Sequence, residues 1–310
     1  MEGFEATVRQ MLFLLFLIAV GWALARFRFV PKNTASILSR LENLLFLPAV
    51  GMGSFLGRAD RSLLVSSLPL LAGSLALEAV VIALSLLFSR LCTKDSYLRR
   101  IYCYGLCFSN FGFMGNAVVR ALFPNLFPQY TLFTLVLWVL ISVWGVPALL
   151  MEGGSGKGAV AALRRLANPL FFGMLAGMVL GLSGLWIPSF LRTAVGALGD
   201  CMSPIAMLLT GMTVADADLR VVLRQKSLYA VTVLRLVVYP LLFLGISRVI
   251  PFSPDFRICA IAVLAMPLGL NTIVIPNAYG RDTQTAAGMV LVSHLASCVS
   301  IPILFRLAGL

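Results

Sequence analysis

Apolar residues in this chain come in runs of about 20, the length that crosses the hydrocarbon core of a bilayer as a helix. Ten such spans are predicted, over residues 8–26, 35–56, 63–90, 103–123, 130–151, 168–185, 193–214, 228–250, 260–279 and 283–307. Two of them are interrupted. Span 103–123, CYGLCFSNFGFMGNAVVRALF, carries Ser109, Asn110, Gly112, Gly115 and Asn116 at its centre. Span 260–279, AIAVLAMPLGLNTIVIPNAY, repeats the arrangement with Pro267, Gly269, Asn271 and Thr272. Backbone that leaves the helix at membrane depth loses hydrogen bonds worth several kcal/mol each, so it survives only inside protein or beside a water-filled cavity. Broken spans at matching places in two halves of a chain point to the binding site of a secondary transporter.

Composition agrees with membrane residence. The 310 residues are 60% hydrophobic and 12% charged, with mean hydropathy +0.98, and a soluble domain needs more polar surface than that. The predicted fold class is therefore an all-α polytopic membrane protein of about ten transmembrane helices in contact with lipid. The net charge of +12 does not indicate a nucleic-acid partner, because Lys and Arg sit singly or in small groups between spans, as topology determinants do. The six cysteines form no CxxC pair and His294 is the single histidine, so no metal or other cofactor is expected. No second intramembrane aspartate accompanies Asp200 to make a hydrolytic dyad, which argues against an enzyme. Ala23-Leu24-Ala25 resembles a cleavage site, but Glu2 and Glu5 make a poor basic leader, and the first run is read as a true span.

An internal repeat organises the spans. A shift of 156 residues lays Pro48 on Pro204, Ala59-Asp60-x-x-Leu63 on Ala215-Asp216-x-x-Leu219, and Phe123-Pro124 on Tyr279-Gly280. The expected division is a first five-span repeat, 1–151, a Gly/Ser-containing cytoplasmic linker, 152–165, and a second repeat, 166–310. An odd number of spans per repeat forces the halves to insert with opposite orientation, the inverted-repeat design of many carriers. Connections after odd-numbered spans hold fourteen Lys and Arg residues against seven on the other side. The positive-inside rule then predicts a multi-pass protein of the plasma (inner) membrane with both termini on the outer face.

The interrupted spans resemble a known family. SNFGFMGNAVVRALFP is similar to the fourth-helix segment of the auxin efflux carrier family, and AMPLGLNTIVIPNAYG to its ninth. Matches also run through LLFLPAVGMGSFL, NPLFFGMLAGMVLGL, RLVVYPLL and VLVSHLASCVSIPI, so the resemblance covers essentially the whole chain in order. It implies the sodium–bile-acid-symporter type of fold, with helices four and nine crossing as broken helices. It also implies a scaffold of helices 1, 2, 6 and 7, a moving domain of helices 3–5 and 8–10, and a homodimer. Members export auxin in plants or move malate, malonate and similar carboxylates in bacteria, and the short central loop is of the bacterial type. One departure stands out: Ala117, after Asn116, occupies the place of the family's proline, which leaves the break to Asn110, Gly112 and Gly115.

The chemistry expected at the crossing is anion binding. Each broken span leaves a half-helix N-terminus with unpaired amides and about half a positive charge, which suits a carboxylate. Asn110 and Asn271 donate or accept there without the cost of a buried charge. Asn116 either lines the site or replaces the lost proline by bonding local carbonyls. Gly112, Gly115 and Gly269 set backbone geometry, Pro267 and Thr272 belong to the second break, and Phe113 walls the pocket or simply packs. Asn43, with Glu42 and Asp200, lines the opposite wall or serves as polar glue. Among intramembrane ionisable groups, Glu78 and Arg235 form a buried ion pair or serve transport, with an unpaired Glu78 a proton-coupling candidate. Arg120 draws an anion from one vestibule or snorkels to headgroups. His294 relays a proton or stays neutral and hydrogen-bonded. The expected function is alternating-access transport of a small organic anion, an auxin-like, malate or malonate carboxylate. The rival is a proton- or sodium-coupled symporter or exchanger on the same scaffold, using Glu78 or His294.

Overall fold

Residues 2–56, 61–151, 169–215, 217–218 and 223–310 are described by a computed structural model. They form helices and no β-strand. In chain order these are α1 (Glu2–Arg26), α2 (34–55), α3 (Arg61–Ser66), α4 (Leu68–Cys92), α5 (Ser96–Cys107), α6 (Phe111–Leu122) and α7 (Pro124–Leu150). Then follow α8 (Pro169–Leu182), α9 (Ser189–Val214), α10 (Lys226–Val249), α11 (Pro254–Leu264), α12 (Asn271–Ala278) and α13 (Gln284–Leu307). The linker 152–165 lies outside the described residues, as do Asp60, Asp216 and Leu219 of the repeat.

Six described helices, α1, α4, α7, α9, α10 and α13, are long and apolar enough to cross a membrane. Exposed Phe16, Val80, Leu91, Phe172, Val179 and Phe190 give the bundle an apolar outer surface. Such a surface suits lipid and not water, and the chain is an integral membrane protein. The fourth run begins earlier than hydropathy predicts. Helix α5 starts at Ser96 because Asp95 accepts from the Leu98 N–H at 2.8 Å and caps a polar first turn. In the same way Ser253 caps α11, accepting from the Phe256 N–H at 3.3 Å.

Prolines shape three of the long helices. A proline removes one N–H and pushes away the carbonyl four residues earlier, and a wide π turn absorbs the misfit. Such turns occupy Glu42–Phe46 ahead of Pro48, Ile141–Leu150 around Pro147, and Leu234–Val238 ahead of Pro240.

Lipid offers no hydrophobic force between helices, so close shape fit has to hold them. Helix α1 packs on α9 and α2 on α8. A Cβ at Gly21 would strike the Leu208 backbone, and one at Gly211 the backbones of Ile18 and Trp22. On the other pair, Gly173 and Gly177, one turn apart, meet the backbones of Pro48 and Met52. Helices α4, α5, α7, α10, α11 and α13 make a second set of contacts, α4 against α5 and α7, α10 against α13, α11 against α4 and α7.

Candidate functional site

Two helices stop and restart next to one another. Helix α5 ends at Cys107 and α6 begins at Phe111; α11 ends at Leu264 and α12 begins at Asn271. Between them Ser109 and Leu268 form an antiparallel bridge, and the Asn110 N–H donates to the Pro267 carbonyl at 2.7 Å. The Ser109 hydroxyl donates to Val263 O at 2.9 Å, and the Leu268 N–H donates to Ser293 Oγ at 3.2 Å. The freed backbone groups thus find partners inside the protein, as burial requires. Gly112 and Gly115 follow the non-helical residues of the first break, in the wide π turn Phe111–Gly115 that opens α6. Their role is close approach: a Cβ at Gly112 would meet the Trp138 ring, and one at Gly115 the Tyr130 hydroxyl.

Arg235 is fully buried beneath the bridge. Its Nη1 donates to Leu106 O at 2.9 Å, Nη2 to Val263 O at 2.7 Å and Nε to Met266 O at 3.3 Å. These carbonyls belong to the last turns of α5 and α11 and to the second break, the negative ends of both half-helices. The planar guanidinium spans them because it presents several donors in a fixed fork. Arg235 and Glu78 make no salt-bridge contact, although the two buried charges still act on each other through space. Glu78 is buried, and its Oε1 has no hydrogen-bond partner. The opposite ends, the N-termini of α6 and α12, keep their positive dipoles.

The side chains at these N-termini are ordered by hydrogen bonds. His294 Nδ1 lies 2.7 Å from Val290 O, and its Nε2 lies 2.9 Å from Asn110 Nδ2. A carbonyl only accepts, so in the neutral ring Nδ1 carries the proton and Nε2 takes the bond from Asn110. Asn110 is buried and its Oδ1 has no partner. Across the breaks Asn271 Nδ2 donates to the Tyr104 hydroxyl at 3.0 Å.

Asn110, Gly112, Phe113, Gly269 and Asn271 line a notch of about 20 Å³ at the breaks, together with Tyr104 and Trp138. Phe113, Trp138, Leu270 and Asn271 also wall an adjoining cavity of about 260 Å³, which reaches Ser39 and Asn43 on α2. The Asn43 amide donates to Ser39 O at 2.7 Å. Three predicted residues stand elsewhere. The Asn116 amide donates to Gly112 O at 2.6 Å, the Thr272 hydroxyl donates to Gly269 O at 2.8 Å, and Pro267 lends its carbonyl to the bridge. Arg120 lines a separate cavity of about 470 Å³ with Arg192. It pairs with Asp200 at 2.8 Å. Tyr104 and Trp138 were missed in the sequence, although Tyr104, less than two turns before Asn110, is a polar-tipped ring in the same interrupted span.

Comparison with known proteins shows the family. A sequence model of the family described as "Membrane transport protein" matches residues 6–162 and 157–305. An "Uncharacterized transporter" of Methanothermobacter thermautotrophicus is 24% identical over 310 residues, covering 97% of this chain and 98% of its own. A "Putative malonate transporter" of Rhizobium meliloti is 25% identical over 162 residues, half of each chain. The chain belongs to the membrane transport protein family of the auxin efflux carriers, and it is a membrane transporter and not an enzyme.

Proposed function

We propose that this protein carries a small organic anion, a carboxylate of the malonate or malate kind, by alternating access, with the meeting point of the two broken helices as its binding site. The observation that carries the reading is the division of charge at the breaks. Arg235 occupies the negative ends of α5 and α11, while the positive ends of α6 and α12 are left beside a cavity. A carboxylate seated there gains from both dipoles, each contributing up to about 2 kcal/mol when partly buried. The Rhizobium relative, named for malonate, supports the substrate class.

On this reading ten membrane helices form two inverted repeats. The scaffold is α1, α2, α8 and α9, and the mobile domain is built from the remaining helices. The reciprocal pairs α1–α9 and α2–α8 suit an inverted repeat, because exchanging first and second halves maps each pair onto the other. The cavities of about 260 and 470 Å³ serve as vestibules on opposite sides of the crossing. The protein works as a homodimer in the inner membrane with both termini outside. One observation favours ion coupling as a second reading: Glu78 is buried with an unpartnered oxygen, the setting of a proton carrier.

Uptake of radiolabelled malonate into proteoliposomes tests the site. Asn110→Ala and Asn271→Ala should each cut uptake at least about tenfold, the ratio set by losing one buried hydrogen bond. Unchanged uptake in both variants removes the site. Collapse of the pH gradient at fixed membrane potential tests coupling, and unaltered accumulation removes Glu78 from that role.

A further inference from the structure

The orphaned oxygen of Asn110 says what kind of anion the site prefers. His294 is buried on α13, and its Nδ1 faces the Val290 carbonyl at 2.7 Å. That contact fixes the ring proton on Nδ1 and leaves Nε2 as an acceptor. Asn110 can satisfy Nε2, at 2.9 Å, only with its NH₂ group. Its oxygen is thereby turned away from the histidine and stands buried without a partner in the wall of the notch. On the facing wall the Tyr104 oxygen accepts from Asn271, so its own O–H remains to be donated. The notch therefore offers one acceptor and one donor beside the start of α6 and the positive end of α12, whose Thr272 and Ile273 amides already bond Gly269 O and Leu270 O.

We propose that His294 is a positioning residue that holds Asn110 as an acceptor, so that the site selects anions carrying a hydrogen-bond donor next to the carboxylate: hydroxy acids, or dicarboxylates with one acid proton. This rests on the reading of the breaks as the binding site. The carboxylate takes the amides that open α6 and the Tyr104 O–H, with the dipole of α12 behind it. The second group, an alcohol or carboxylic acid O–H, donates to Asn110 Oδ1. A ligand without such a donor leaves that oxygen buried and unpaired, which is the means by which polar sites reject close analogues.

Purified protein in detergent, titrated with ligands matched in charge and size, tests this. Malate and succinate are both dianions at pH 7.5 and differ by one hydroxyl; lactate and propionate form a monoanionic pair. Calorimetric affinities should favour the hydroxylated member of each pair by roughly tenfold or more, the ratio that one lost buried hydrogen bond sets. In His294→Ala the amide of Asn110 is free to rotate, and the ratio should fall to near one. A merely structural histidine would weaken both ligands alike and leave the ratio standing. In His294→Gln, whose side-chain oxygen can take the same bond, the ratio should persist, and Tyr104→Phe should weaken both ligands equally.

The ratio in the unmodified protein tests the donor preference, and the asparagine variants test the site. Equal affinities within each pair, with both sensitive to Asn110→Ala and Asn271→Ala, overturn the donor preference and leave the site standing. Binding that ignores both asparagine variants, or no binding by any of the four acids, overturns the site itself and this inference with it.

Discussion

Arg235 is the residue whose loss the geometry prices most sharply. Its fork serves three buried carbonyl groups, those of Leu106, Val263 and Met266. A buried acceptor left without a partner costs about 1–3 kcal/mol, so removing all three bonds costs about 3–9 kcal/mol together. Arg235→Gln reaches at most one or two of the carbonyls and should lose a large part of this. Arg235→Lys keeps the charge but concentrates it at one point, and should fall between. Glu78→Gln makes the contrast. Because Glu78 makes no contact with Arg235 and its Oε1 has no partner, neutralising it removes only a through-space attraction and should destabilise the fold clearly less than Arg235→Gln. A buried ion pair would behave otherwise, since removing either partner would strand the other at about 3–5 kcal/mol. Thermal unfolding in detergent, followed by intrinsic fluorescence for wild type and the three variants, reads the difference. Equal destabilisation by Arg235→Gln and Glu78→Gln would refute the argument, as would an Arg235→Gln protein as stable as wild type.

Three further outcomes follow from contacts described above. Asn116→Ala removes a bond to Gly112 O, a local strut outside the cavity, and should cost about 1 kcal/mol of stability while leaving ligand affinity within twofold by calorimetry. Gly211→Leu drives a side chain into the backbone of α1 at Ile18 and Trp22 and should abolish the folded, monodisperse species in gel filtration, whereas Gly245→Leu, which meets open space, should be tolerated. The Arg120–Asp200 pair is partly exposed, with side-chain accessibilities of 41% and 68%, so Asp200→Asn should change thermal stability by no more than about 1 kcal/mol, and raising the salt should shrink even that difference.

What was legible in the sequence was whatever a side chain announces. Ser109, Asn110 and Asn271 have no business in lipid, and so both breaks were found within a few residues of their true places. The local alternative for Asn116 was also legible, because a short amide one turn beyond a glycine has a carbonyl within reach. The partner of Arg235 was not. Its contacts are main-chain oxygens of Leu106, Val263 and Met266, distant in sequence and without any side-chain signature, whereas Glu78 has the opposite sign and a near-symmetric position in the repeat. Complementary charge was the only visible clue, and it pointed to the wrong acceptor. The early start of α5 was hidden for a related reason: hydropathy sees the lipid-filling part of a helix, while Asp95 sets its end by one hydrogen bond outside that part. The tight neighbours of the two glycines were hidden, because sequence shows their freedom but not the Trp138 ring and the Tyr130 hydroxyl that stand where the Cβ atoms of Gly112 and Gly115 would be.

The pairing of Ser109 with Leu268 has a mechanical consequence. Two rods, each severed at mid-length, would ordinarily give four loose stubs, free to drift on their own. Splicing the cut ends to each other makes a single knot, and tension on any stub is shared by the other three. On the proposed mechanism a shift of the bundle would carry the seat along whole, with the spacing between the two asparagines preserved on either side of the membrane.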